Sequence, residues 1–436
     1  MRHFAFLDEV RSAELFHRLP EEVPADGDRR LLATGLGATL YAPGTRADLA
    51  ADARRQAAAG VTSMVFCLED AVADDEVAAA EANVVAALRA LAGGTDFPGG
   101  TDFPADTDFS AATDLSAATD ATDPVALPMV FVRVRDEAQL RRVVAAVADR
   151  SDALAGFVLP KFAEDTGVAQ LEAVEAASEQ LGRRLWAMPV LETPEIIYRE
   201  TRIDALLAIR RLLDKHVDHV LAVRIGATDL CGLFGLRRDR DLTIYDLSVV
   251  RECIADVVNV CGRDGSHIVT GPVWEYFSSP ERLWVSPLRV TPFEQAHEAP
   301  LRHQLVSADL DRLLREVVLD KANGLLGKTV IHPGHVAAVH ALLVVTHEEY
   351  VDACTVLAGD TGGVRRSDYG NKMNELRPHR AWAEAVLRRA AVFGVLAEGA
   401  TFVDVLAAAP DPVLPAAVVP ATAVAGRAVP LPAAAR

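Results

Sequence analysis

The stretch TLYAPGTRADLAADARRQAAAGVTSMVFCLEDAV, residues 39–72, decides the fold. It opens on a short β-rich run, Thr39–Ala42, that breaks at Pro43-Gly44-Thr45-Arg46. A helical pattern, Asp48–Ala59, follows, and then a second β-rich run, Ser63–Leu68, that stops at Glu69-Asp70. Both runs are nearly continuously apolar instead of alternating. That pattern suits strands of a parallel sheet covered by helices.

The same unit recurs outward from this stretch. β-rich runs lie at Met129–Val134, Gly156–Leu159, Leu185–Leu191, Val220–Ile225, His267–Thr270 and Thr329–Ile331. Helical patterns separate them at Asp74–Leu91, Glu137–Ala148, Val168–Leu181, Ile203–Lys215, Leu247–Val260 and Leu305–Ala322. Eight β/α units in about 300 residues predict an α/β fold, a (β/α)8 barrel, with a doubly wound open sheet as the alternative. The expected organisation is an N-terminal extension (1–38), the barrel (39–345), a helical C-terminal extension (346–407) and a disordered Ala/Pro/Val-rich tail (408–436). Between the second helix and the third strand, residues 93–124 repeat Thr-Asp with a period of six. Rich in Gly, Pro, Asp and Thr, this segment has nothing with which to build a core, and it reads as a disordered insertion.

Half of the 436 residues are apolar, enough for a large core, and the net charge is −18. A nucleic-acid scaffold or a polybasic membrane binder is therefore not expected. Apolar stretches are broken before they could span a bilayer, and Asp8, Glu9 and Glu14 interrupt any secretory signal. Five scattered cysteines without a CxxC pair suit a reducing, cytoplasmic setting.

Polar residues gather at the ends of the apolar runs: Arg46, Glu69 and Asp70, Arg133 and Arg135, Lys161, Glu192, Asp229, Gly271-Pro272, and His332. In a barrel these C-terminal strand ends share one rim, where catalytic groups collect. Carboxylates there suit a hard divalent cation, and arginines suit a carboxylate or phosphate. A ring of structural salt bridges is the plainer reading. Lys161 fits a salt bridge or phosphate contact better than a Schiff base, which needs a desolvated amine. His332 reads as a capping residue, with His335 and His340 at the surface, and Cys67 as a core thiol. The polar run Asn371–His379 reads equally as a lid over the pocket or as a solvated helix start.

Residues 41–72 resemble the opening of the citrate lyase β-subunit-like branch of the HpcH/HpaI aldolase superfamily. FVLPK (157–161), MPVLETP (188–194), RIGATDLCGLFGL (224–236) and GKTVIHPGHV (327–336) resemble its later motifs, in the same order. VWEYF (273–277) and residues 367–395 are similar to the C–C bond lyases of tellurium-resistance and stress gene clusters. The resemblance implies a cytoplasmic TIM-barrel lyase, of aldehyde-lyase or oxo-acid-lyase type, that forms or breaks a C–C bond next to a carbonyl through an enolate. It implies Mg2+ (Mn2+ also fits) bound by Glu192 and Asp229, an anionic keto-acid or CoA thioester substrate, and a homo-oligomer. Arg133 would hold the substrate carboxylate, with Glu69 and Asp70 beside the metal waters and Arg46 and Lys161 at the rim. A malate synthase-like condensing enzyme, a malyl-CoA thioesterase and a catalytically silent metabolite-binding barrel are the other readings. Two departures stand out. Arg135 replaces a neutral Asn, which predicts that it reads a second acidic group on the substrate. Gly271-Pro272 replaces the acidic residue near the end of the seventh strand.

Overall fold

The computed structural model describes residues 1–93, 126–277, 310–359 and 362–410. The Thr-Asp repeat from 94 onward, residues 305–309 of the seventh helical pattern and the tail beyond 410 lie outside the described residues. A short strand, β1 (Phe16–Arg18), precedes the barrel. β2 (Ala38–Pro43), β3 (Ser63–Cys67), β4 (Met129–Arg133), β5 (Leu154–Leu159), β6 (Trp186–Leu191) and β7 (Ala222–Ile225) then pair in sequence, all parallel. β8 (Ile268–Val269) lies against β7, β9 (Gly271–Trp274) against β10 (Lys328–Val330), and β10 against β2.

The circle closes because β8 and β9 are two halves of one strand interrupted at Thr270. The amide of Thr270 donates to Val223 O at 2.9 Å, and the next amide, of Gly271, donates to Gly327 O at 3.0 Å on the opposite neighbour. Gly-Pro at 271–272 therefore does not end the seventh strand, contrary to the sequence expectation. The strand runs on to Trp274, so Glu275 stands at its end. A register shift between β9 and β10 spans Pro272, where the missing N–H would otherwise break the ladder.

Helices clothe the barrel by ordinary amphipathic packing. In Glu137–Val147, Leu140, Val143, Val144 and Val147 are buried at helical spacing, and the side chain of Asp136 caps the start by accepting from Gln139 N at 2.7 Å. Each such apolar side chain contributes roughly 1.5–3 kcal/mol of transfer free energy. No helix among the described residues is long and apolar enough to cross a membrane.

The two extensions meet at the N-terminal end of the barrel. β1 pairs with β13 (Val395–Leu396), and helix Arg380–Phe393 packs on helix Arg29–Gly35, which leads into β2. His340 is buried there, accepting from Ala38 N at 3.0 Å, and its ring lies 4.5 Å edge-on from that of His3. His335 is buried as well. The surface placement expected for His335 and His340 is thus corrected: their helix, Gly334–Leu343, is apolar around most of its circumference and is enclosed on several sides. The polar run at 371–379 does not lie over the barrel mouth. It joins the hairpin of β11 (Val364–Arg366) and β12 (Met373–Glu375), whose Asn374 and Lys372 bond Asp352 on the neighbouring helix at 2.7 and 2.8 Å.

Candidate active site

The barrel mouth is built from the residues that follow β3 to β7. Cys67 and Arg133 are in register across β3 and β4, and Leu68 N donates to Arg133 O at 2.8 Å, so Glu69 and Arg133 emerge side by side. Glu192 follows β6, and Gly226 N donates to Leu191 O at 3.1 Å. Asp229 lies in the first turn of helix Ala227–Gly232. Lys161, after β5, adopts a left-handed backbone (φ +49°), uncommon for a side chain with a β-carbon. That conformation aims its amide at Glu192 Oε1, 2.9 Å away, while its side chain reaches Glu69.

One guanidinium nitrogen centres the cluster. Arg133 Nη2 lies 2.7 Å from Glu69 Oε2, 3.0 Å from Asp70 Oδ2 and 3.2 Å from Glu192 Oε1. Lys161 Nζ contacts Glu69 and stands 3.6 Å from Asp70. Burial and the adjoining Asp70 push the Glu69 carboxyl up. Asp70 is held below its usual range by Glu69, Arg133 and Lys161, which outweigh its partial burial. The two carboxyls thus divide into one acid and one base. Burial, with the negative charge of Asp229 added and Arg133 opposing, raises Glu192 to about 7.

Arg135, expected to read the substrate, is engaged with the loop after β3. Its Nε donates to Leu68 O (2.9 Å), Nη2 to Val72 O (2.7 Å) and Nη1 to Asp74 (2.5 Å). Arg46 pairs with Asp52 on the helix Leu49–Ala58, which follows β2, and is half exposed. Neither residue contacts the carboxylate cluster in the described structure. A cavity of about 540 Å3 opens beside it, lined by Glu69, Asp70, Arg135, Asp136, Lys161 and Gln170 among others.

Three residues of the barrel interior and rim escaped the sequence reading. Glu275, hidden by the apparent Gly-Pro stop, accepts from Thr228 Oγ1 at 3.4 Å, one residue from Asp229. Tyr41 and Arg224 lie inside apolar runs and read there as strand residues. Their inward orientation follows only from the parity of β2 and β7.

Among the described residues no three His, Cys, Asp or Glu converge as a ready-made metal cage. The donor set nevertheless fits Mg2+, which takes one or two carboxylates and keeps its waters. Glu192 and Asp229 repel each other in a buried setting, a repulsion that a divalent ion would relieve. Gly226 leaves room for the Glu192 carboxylate, since a β-carbon there would collide with its Oε2.

A family model described as C–C bond lyase of the TIM-barrel fold matches residues 30–395. The chain belongs to this family. Its barrel is similar to a citrate lyase from Burkholderia xenovorans LB400, with 18% identity, a TM-score of 0.53, and 83% of this chain and 93% of that one covered. It also matches the CitE protein of Mycobacterium tuberculosis in complex with magnesium, acetoacetate and coenzyme A, with 18% identity, a TM-score of 0.47, and 82% and 99% covered. A further match is the citrate lyase β subunit of M. tuberculosis complexed with oxaloacetate and magnesium, with 18% identity, a TM-score of 0.40, and 70% and 96% covered. No curated protein matches the sequence.

Proposed function

We propose that the chain is a Mg2+-dependent carbon–carbon lyase that acts on an anionic 2-oxo acid, or on an acyl-CoA of similar shape, through an enolate. The observation that carries this reading is the Glu192 carboxylate, seated against Gly226 and within the field of Asp229, next to the partly buried Arg133. Bound there, Mg2+ would act as a Lewis acid on the substrate carbonyl. Arg133 grips the substrate carboxylate and fixes the bond to be broken near the Glu69–Asp70 pair. Asp70, the base of that pair, takes the proton of the substrate hydroxyl as the C–C bond opens. Lys161 keeps the carboxylates apart in charge and orients Glu69. The segment at 367–395 and the five free cysteines support placing the enzyme in a reducing cytoplasm and in the stress-cluster branch of the family.

Isothermal titration with Mg2+ in the presence of pyruvate, oxaloacetate or glyoxylate tests the reading. The expected result is that one of these acids and Mg2+ each tighten the binding of the other, and that Glu192→Gln abolishes the coupling. Independent binding of acid and metal, or none of either, would return the protein to the silent-barrel reading.

A further inference from the structure

The cavity beside the mouth shares part of its wall with the carboxylate cluster. Glu69, Asp70 and Lys161 belong to both, and the wall continues through Asp136, Glu137 and Gln170. Its two cations are already engaged. Lys161 Nζ contacts Glu69 and lies 3.6 Å from Asp70, and the three nitrogens of the Arg135 guanidinium meet Leu68 O, Val72 O and Asp74. Its acceptors are not all engaged. Asp136 accepts from Gln139 N through Oδ1 at 2.7 Å. Among the described residues, Asp136 Oδ2 and both oxygens of Glu137 meet no donor. The wall therefore offers surplus negative charge and no cation to spare.

Gln170 separates this wall from an ordinary solvated acidic surface. It stands on helix Glu164–Leu181, lines the cavity and is only 7% exposed. Its Nε2 donates to Pro160 O at 3.4 Å. A carbonyl only accepts, so that contact fixes which way the amide points. The atom left without a partner is Oε1. A buried acceptor without a donor is destabilising, and a ligand that donates to it recovers that free energy. Gln170 thus asks for a donor on grounds of burial, and Asp136 and Glu137 ask for positive charge on grounds of electrostatics.

We propose that this cavity binds a positively charged end of the substrate, an ammonium group on the part beyond the C–C bond, and that Asp136, Glu137 and Gln170 determine that specificity. The proposal rests on the lyase reading above, which sets the bond to be broken near Glu69 and Asp70. The substrate class becomes a zwitterion, with a carboxylate at Arg133 and an ammonium at the far end. An ammonium brings one charge and three donors to a wall of acceptors. A second carboxylate or a phosphate would approach Asp136 and Glu137 and find both cations of the wall already paired, so the same residues select against it.

The test is calorimetric titration of the Mg2+-loaded protein with three six-carbon 2-hydroxy acids that differ only at the far end. These are 6-amino-2-hydroxyhexanoate, 2-hydroxyhexanoate and 2-hydroxyadipate. The ammonium acid should bind about tenfold or more tighter than the dicarboxylate, with the methyl-ended acid between them. The double variant Asp136→Asn, Glu137→Gln keeps the helix cap, because Asn caps as well as Asp, and should reduce that preference to less than about threefold. Gln170→Met should weaken the ammonium acid by about fivefold and leave the methyl-ended acid within about twofold. A dicarboxylate that binds as tightly as the ammonium acid, or a preference that survives in the double variant, overturns the proposal. Mg2+ and pyruvate that bind without coupling count against the lyase reading alone, and a metal-free measurement then decides about the cavity. Saturation-transfer NMR should show butylamine bound to the wild type and released in the double variant. Butyrate binding equally well, or butylamine unaffected by the substitutions, would overturn the proposal there too.

Discussion

Two clusters of the same residue types lie in this barrel, and they differ in how fully their bonds are satisfied. Behind β9 and β10, Lys328 Nζ lies 2.8 Å from both Glu316 and Asp320. Arg238 Nη1 bonds the two oxygens of Glu316 at 2.9 and 2.7 Å. Ile244 N donates to Glu316 at 2.6 Å, and Tyr245 Oη donates to Asp320 at 2.7 Å. All five side chains are buried, and together they tie the 238–246 segment to the barrel wall. At the mouth, by contrast, a single nitrogen of Arg133 serves three carboxylates, its Nε has no partner, and Asp70 and Lys161 are half exposed. The saturated cluster has no capacity left for a ligand. The mouth cluster has excess negative charge, free lone pairs and an open cavity. Charged residues at strand ends therefore signal a site only when their bonding is incomplete and the solvent can reach them.

The largest effect should come from breaking the saturated cluster. Lys328→Met leaves Glu316 and Asp320 buried together, and should cost about 3–5 kcal/mol of unfolding free energy in urea. Retained stability would mean that this network is no more structural than the mouth.

The second expectation concerns Glu192, whose charge is disfavoured until a cation arrives. Its value of about 7 in the folded chain stands above the ordinary 4.5. The stability that this shift contributes is present below about 4.5 and is lost as pH rises through 7 in cation-free protein. Mg2+ must displace the proton, so its affinity should fall about tenfold per pH unit below 7 and level off above it. Titration calorimetry across pH 5.5–8.5 reads this directly, and a flat profile would remove Glu192 from the ligand set.

The smallest effect is expected at Arg135, which borders the cavity yet bonds as the saturated cluster does. Arg135→Asn should lower stability by about 1–2 kcal/mol through the freed 68–74 loop and leave Mg2+ affinity within about twofold. Intact stability with a tenfold loss of substrate affinity would instead place Arg135 with the mouth residues.

The barrel was legible because its strands are short apolar runs, most of them ending in a charge, and the periodicity carries that without help from contacts. Glu69, Asp70, Arg133, Lys161, Glu192 and Asp229 were legible for the same reason: a strand end in a barrel has one destination. Where the reading failed, a local signal had two structural meanings. Gly271-Pro272 reads as a stop, but in the closed barrel it is the place where one strand changes neighbours. His335 and His340 read as surface residues because helical spacing alone does not say how many sides of a helix are covered.

Arg133 and Arg135 show where the sequence's authority ended. Alternation in a strand places both on one side, and their charges require anions; the residues alone determine that much. Which anions they meet depends on loops that return from elsewhere in the chain. Arg133 meets Glu69, Asp70 and Glu192 from two other strand ends, whereas Arg135 is taken up by Leu68 O, Val72 O and Asp74 of one loop. The second cation of the barrel interior is instead Arg224, from a strand 91 residues further on than Arg133. Fold class and the strand-end inventory follow from local periodicity, which a sequence contains in full. The pairing of charges is a matter of distances of about 3 Å between residues far apart in the chain, and only the closed barrel sets those.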